Sequence, residues 1–144
     1  MALKASLFQA QDSLAVFNLD VNNLKYMNDY FDHEAGDALI NKAAESLRRI
    51  EARNVMTFRV GGDEFMAVAL HLSREDALQL KEAWEEGLAE CNFRNDGVEC
   101  VIACGFAYGE KGYDLEALLA EADQQMYEDK KAKKAARGEN PDRR

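Results

Sequence analysis

Residues 55–70 read VMTFRVGGDEFMAVAL. Two apolar runs, 55–60 and 65–70, rich in β-branched and aromatic residues, flank the tetrapeptide GGDE. Such runs favour strands, and a tight glycine-bearing turn between them makes the pair a hairpin. Gly61 and Gly62 permit positive φ in that turn and let a ligand approach the backbone closely. A hairpin in mid-chain commits the fold to antiparallel pairing, and the flanking sequence must supply the other strands and the helices that cover the sheet.

Upstream, SLAVFNL (13–19) is a nearly continuous apolar run ending at Asp20, the pattern of a strand buried on both faces. A short helix is expected over 22–30. A longer one follows, with Leu39, Ala43, Leu47 and Ile50 on its inner face. Downstream of the hairpin, Ser73 with Asp76 three residues later makes a helix start, and Ala77, Leu80, Trp84, Leu88 and Cys91 mark one face. VECVIACGFAYG (98–109) reads as a strand. Asp114 caps a last helix facing inward through Leu115, Leu118, Leu119, Ala122 and Met126. The order strand, helix, helix, hairpin, helix, strand, helix predicts the α+β class, with a mostly antiparallel central sheet and helices packed against it.

The chain has 144 residues, 47% apolar and 31% charged, with a net charge of −9. That length and apolar share suit one domain with its own core. No apolar run approaches the roughly 18 residues of a membrane span, and the start lacks a signal peptide's apolar stretch. A soluble, cytoplasmic chain without membrane contact is expected. Charge is uneven: residues 130–144 carry seven basic and two acidic residues, and residues 1–129 carry 11 basic and 25 acidic ones. So acidic a body repels duplex DNA, which excludes it as a partner. Cys91, Cys100 and Cys104 lack metal-ligand spacing and read as buried, reduced thiols. His71 follows a strand and reads as a surface residue. The only proline is Pro141, in a basic tail expected to begin as a helix end and then fray.

Asp20 ends the first strand, and Asp63 and Glu64 sit at the hairpin turn. If the two strands are neighbours, three carboxylates converge and need a counter-charge or a raised pKa. Mg²⁺ suits them, since it prefers hard oxygen ligands and shares them with substrate phosphates. On spacing alone, solvated acids explain the carboxylates equally well, and a lone glycine pair is more simply an ordinary hairpin turn.

Three segments together resemble the GGDEF domain of diguanylate cyclases: GGDEF at 61–65, DVNNLKYMNDYFDHEAGDALI at 20–40, and ADQQMYEDK at 122–130. The upstream family pattern is Asp-x-Asp-x-(Phe/Leu)-Lys-x-x-Asn-Asp-x-x-Gly-His-x-x-Gly-Asp, and the closing one is Ala-Asp-x-x-(Met/Leu)-Tyr-x-x-Lys. The resemblance covers residues 13 to about 134. It implies a palm, nucleotide-cyclase-like fold with the ferredoxin-like order β-α-α-β-β-α-β-α. It further implies an enzyme that condenses two GTP into cyclic di-GMP and pyrophosphate between two facing copies. Carried over residue by residue, Asp20, Asp63 and the carbonyl of Val21 would ligate Mg²⁺, with Mn²⁺ as an alternative, and Glu64 would support the attacking hydroxyl. Asn28 and Asp37 match the guanine-reading pair. Lys25, Lys130, Lys134 and the amides of Asn23 and Leu24 match phosphate contacts. His33 matches a family histidine read as structural. The domain is expected over 1–134, with a flexible basic tail over 135–144.

The chain also departs from that pattern. Asn22 replaces the second aspartate, Asp32 replaces the glycine before the histidine, and the family's leading segment is missing, as in a truncated or trimmed member. A sensory domain in a longer parent chain is compatible with this. The family's product-binding Arg-x-x-Asp has no counterpart in Ala52, Arg53, Asn54 and Val55, so inhibition through that site is not expected. Two other readings stay open. One is a catalytically weak GGDEF module that binds GTP as a signalling domain. The other is a related palm-type cyclase using ATP or mixed nucleotides, against which Asp37 argues.

Overall fold

A strand that is apolar on both faces has to lie inside a sheet and between two layers, and β1 (Leu14–Val21) does so. The computed structural model describes residues 13–31, 33–94, 99–136 and 138. In chain order the elements after β1 are α1 (Leu24–Tyr30), α2 (His33–Arg48), β2 (Val55–Arg59), β3 (Glu64–Leu70), α3 (Arg74–Phe93), β4 (Ile102–Gly109) and α4 (Leu115–Ala136). The sheet order is β2-β3-β1-β4, with every neighbouring pair antiparallel. This is the expected α+β architecture.

The two faces of β1 feed two cores. Ala15, Phe17, Leu19 and Val21 pack with Leu39, Ala43 and Leu47 of α2 and Ala77 and Trp84 of α3. Leu14 and Val16 pack with Leu115, Leu118 and Ala122 of α4. The helical faces expected from periodicity are therefore the buried ones. Ser73 caps α3 by accepting from the Asp76 amide at 3.0 Å, and Asp114 accepts from the Glu116 amide at 3.1 Å at the start of α4. Trp84 Nε1 donates to Ser46 Oγ at 3.0 Å, and that hydroxyl donates to the Ala43 carbonyl at 2.7 Å, tying α3 to α2.

Helix α4 lies unusually close to β4. A Cβ on Gly105 would stand 1.8 Å from the Ala122 carbonyl oxygen and 2.4 Å from the Met126 amide, so only glycine permits this approach. The closeness lets α4 cover the open edge of β4. Gln125 accepts from the Phe106 amide at 3.3 Å, Asp129 from the Cys104 amide at 2.9 Å, and Lys133 donates to the Ile102 carbonyl at 2.6 Å. Three side chains at four-residue spacing thus satisfy edge groups that would otherwise template another strand.

Some expected boundaries move. β1 runs through Asp20 to Val21, because both neighbours extend the ladder, pairing Asp20 with Glu64 and with Ala103. Glu64 accordingly belongs to β3 and only Asp63 to the turn. The strand expected over 98–109 begins at Ile102; Glu99, Cys100 and Val101 precede it, and Val98 lies outside the described residues. Of the expected tail, residues 135 and 136 continue α4, while 137 and 139–144 lie outside the described residues, as does the front segment before Ser13.

Candidate active site

The site forms where the central strand meets the hairpin. The Val21 amide donates to the Asp63 carbonyl at 2.7 Å, and the Val60 amide donates to the Glu64 carbonyl at 2.9 Å, so the turn is closed on itself and fastened to β1. Arg59 adds a clamp: Nε donates to the Gly61 carbonyl at 3.2 Å and Nη2 to the Gly62 carbonyl at 2.8 Å. Gly61 and Gly62 would permit positive φ, and neither uses it; hydrogen bonds and the Arg59 clamp close the turn without it. A Cβ on either would meet open space.

Within this frame Asp20, Asp63 and Glu64 each bring a carboxylate oxygen into a group whose members lie within 4.8 Å of one another. Asp20 is buried to 2% exposure, and Lys130 of α4 reaches its Oδ2 at 3.1 Å. Glu64 is held above the ordinary carboxylate range, first by partial burial and then by the charges of Asp20, Asp63 and Asp123, with Lys130 opposing. The clustered carboxylates make the site strongly negative, and hard oxygen donors at this spacing fit a divalent cation such as Mg²⁺.

The other expected residues lie on the following elements. Asn22 is 3% exposed. Asn23 precedes α1 in the left-handed conformation, φ 64 and ψ 17, and its carbonyl accepts from the Met27 amide at 2.9 Å. Leu24 packs against the core and Lys25 is exposed. Asn28 on α1 lies against Gly36, the chain neighbour of Asp37 on α2: a Cβ on Gly36 would lie 1.8 Å from Asn28 Oδ1. Lys134, one helical turn beyond Lys130, is 6% exposed. His33 is exposed at the start of α2, outside any core. His71 is on the surface, as expected, with φ 57. The three cysteines are free and buried; burial pushes the Cys100 and Cys104 thiols up to about 12.

Sequence reasoning missed Arg59, Gly36 and Asp123. Arg59 had a signal, a cation two residues before a glycine pair, and so did Gly36, a glycine inside a helix beside a candidate base-reading acid. Asp123 had none, since its proximity to Glu64 arises only when α4 docks on the sheet.

The chain is similar to known proteins in sequence and in fold. The family description "Diguanylate cyclase, GGDEF domain" matches residues 2–136. The chain is 31% identical over 130 residues to diguanylate cyclase VdcA of Vibrio cholerae, covering 87% of this chain and 38% of that protein. It is 27% identical over 137 residues to the probable diguanylate cyclase DgcF of Escherichia coli K12, covering 90% and 44%. The chain thus spans less than half the length of these relatives. A solved GGEEF domain, described as the active domain of a diguanylate cyclase from Vibrio cholerae, superposes with a TM-score of 0.68 at 27% identity, covering 85% of this chain and 78% of that one. A microbial GGDEF domain studied with cyclic di-GMP gives 0.70 at 32% identity, covering 88% and 80%. The antiparallel sheet flanked by helices is the palm, nucleotide-cyclase-like fold of these structures. With matching sequence, matching fold and the signature turn placed beside Asp20, the chain belongs to the GGDEF domain family of diguanylate cyclases.

Proposed function

We propose that this domain is a diguanylate cyclase, joining two GTP into cyclic di-GMP with release of two pyrophosphates between two facing copies. In each half-reaction the 3′-hydroxyl of one GTP attacks the α-phosphate of the other. The new O–P bond forms as the bond to the β-phosphate oxygen breaks, pyrophosphate leaves and the hydroxyl proton passes to a base. The observation that carries the reading is the convergence of Asp20, Asp63 and Glu64 with Lys130 under the signature turn.

Roles follow from chemistry. Asp20, Asp63 and the Val21 carbonyl would hold Mg²⁺, or Mn²⁺ in its place, and the bound cation supplies Lewis-acid polarisation of the α-phosphate. Glu64, a carboxyl with raised proton affinity beside the cluster, supports the attacking hydroxyl. Lys25, Lys130, Lys134 and the amides of Asn23 and Leu24 serve the phosphates. Asn28 and Asp37 read guanine, whose Watson–Crick edge offers a pair of N–H donors to a carboxylate, a pair that adenine lacks. The work of such a site is chiefly positioning and charge neutralisation. A cytoplasmic setting supplies both GTP and reduced thiols. No helix among the described residues is long and apolar enough to cross a membrane. The domain extends over 1–134, followed by the basic tail, and the relatives, more than twice as long as the matched stretch, have room for a further domain such as a sensory one.

The test is mass spectrometry of products from GTP, ATP and their mixture, with Mg²⁺ and with dimers enforced by a fused coiled coil. Cyclic di-GMP from GTP alone, abolished in Asp63→Ala, is the expected outcome. Equal turnover of ATP would refute the role of Asp37. Asn22, where the family pattern has an acid, favours one second reading, a GTP-binding signalling module with weak or no turnover. Binding of GTP without pyrophosphate release, even in enforced dimers, would establish it.

A further inference from the structure

Helix α4 is held to the sheet by two different means along its length. Its first half is fastened by apolar burial: Leu115, Leu118, Ala122 and Met126 are buried, and Gly105 admits the helix backbone at Ala122 and Met126. Residues 127–136 bury no apolar side chain, so hydrophobic contact does not press this end onto the sheet. Polar bonds take over there. Asp129 accepts from the Cys104 amide at 2.9 Å, Lys133 donates to the Ile102 carbonyl at 2.6 Å, and the two side chains pair with each other at 2.8 Å. Four helical residues advance about 6 Å and two strand residues about 6.6 Å, so the two anchors keep step with β4. An acid four residues before a lysine is also the favourable order on a helix.

The place of this latch matters more than its strength. Ile102 pairs with Val21 and Cys104 with Leu19, so the anchored residues flank Ala103, the β4 partner of Asp20. Lys130, next to Asp129 in the helix, reaches inward to Asp20 Oδ2 on β1 at 3.1 Å. A lysine carries its charge on a flexible four-carbon stem, so the helix backbone decides where the ammonium can rest. The latched segment carries Lys134 as well.

We propose that Asp129 and Lys133 are positioning residues for the cyclase reaction: they fasten the end of α4 to the β4 edge and so hold Lys130 where it neutralises Asp20 and meets the phosphates of the nucleotide. The proposal rests on the reading that this site takes GTP, and its test separates the two. Lys133→Met keeps most of the stem and removes the ammonium. The parent, Lys133→Met, Lys133→Arg, Lys130→Met and the double variant of Lys133→Met with Lys130→Met are compared as whole chains. Unfolding midpoints are measured in EDTA. Affinities are measured by calorimetric titration with Mg²⁺ plus a GTP analogue bearing a methylene bridge between the α- and β-phosphorus atoms.

The affinity of folded Lys133→Met falls roughly fivefold, as for a weakened bond to a charged group, and Lys133→Arg keeps the parental value. Once Lys130 is replaced, Lys133→Met adds little further loss, because the latch acts through that lysine. A purely structural brace would lower the midpoint and leave the affinity of the folded chain untouched. That result overturns the proposal, as does an undiminished loss on top of Lys130→Met. If Lys130→Met does not fold, Asp129→Leu decides, since it removes the other half of the latch; parental affinity in that variant overturns the proposal. A parent chain that ignores the GTP analogue refutes the cyclase reading instead. The hold on Lys130 is then judged from the midpoints, where coupling between Lys133→Met and Lys130→Met upholds it and additivity overturns it.

Discussion

Gly36→Ala should improve the fold and damage recognition. The alanine Cβ would stand 1.8 Å from Asn28 Oδ1, 2.8 Å from its Cγ and 3.2 Å from its Nδ2. All three atoms belong to one side chain at its flexible end, so the amide can swing aside rather than force the helices apart. To restore an ordinary van der Waals distance the oxygen must retreat by roughly 1.5 Å, which stretches a hydrogen bond of normal length well past its limit. One such bond to the base is worth about 1 kcal/mol, or roughly fivefold in affinity. Meanwhile alanine replaces glycine inside α2, which favours the helix by about 0.5–1 kcal/mol. The assay is a thermal melt without ligand alongside calorimetric titration with GTP and ATP in Mg²⁺. The expected pattern is a midpoint at or above the parent's, GTP binding weakened fivefold or more, and ATP binding unchanged. A lower midpoint with unchanged GTP affinity would refute the reasoning, showing that Gly36 serves packing and that Asn28 does not read the base.

Gly105→Ala should act in the opposite way, because its clash is with the α4 backbone at Ala122 and Met126; a loss of about 1–3 kcal/mol or more is expected from a denaturant melt, with the Lys130–Asp20 contact loosened as α4 lifts. Lys130→Met removes the cation beside a carboxylate that is 2% exposed, and breaking such a buried pair costs about 3–5 kcal/mol. Added Mg²⁺ should recover part of that loss, and a melt insensitive to the substitution would show the pair to be incidental. Glu64, whose proton is held more tightly in the folded state than in the unfolded chain, makes stability fall as pH rises through and above the ordinary glutamate range. In EDTA, Glu64→Gln should therefore flatten the decline in unfolding midpoint between acidic and neutral pH, and a parallel slope in both proteins would remove the like-charge account.

Much of the fold was legible because its signals are local. The run from Leu14 to Leu19 can only be a strand covered on both faces, and the helical faces through Leu39 and Leu47, Ala77 and Trp84, and Leu118 and Ala122 announce themselves by spacing. The ends of elements were less legible. β1 extends to Val21 because ladders on both sides hold it, and no local propensity records that. The glycines of the turn left its backbone open, since glycine allows positive φ without requiring it, and hydrogen bonds closed this turn without it.

By itself the sequence determined which residue types stand in order along the chain: a carboxylate closing one apolar run, two more after a glycine pair, and lysines at the end of an amphipathic helix. Chain order and periodicity carry that information because they depend only on neighbours. Only the tertiary structure decided that Asp20 lies opposite Glu64, that Lys130 reaches across 110 positions to neutralise one acid of the cluster, and that Arg59 braces the turn from below. Those relations come from strand register and from α4 settling onto Gly105. Charges separated so far in sequence act on one another only after packing has removed the water between them.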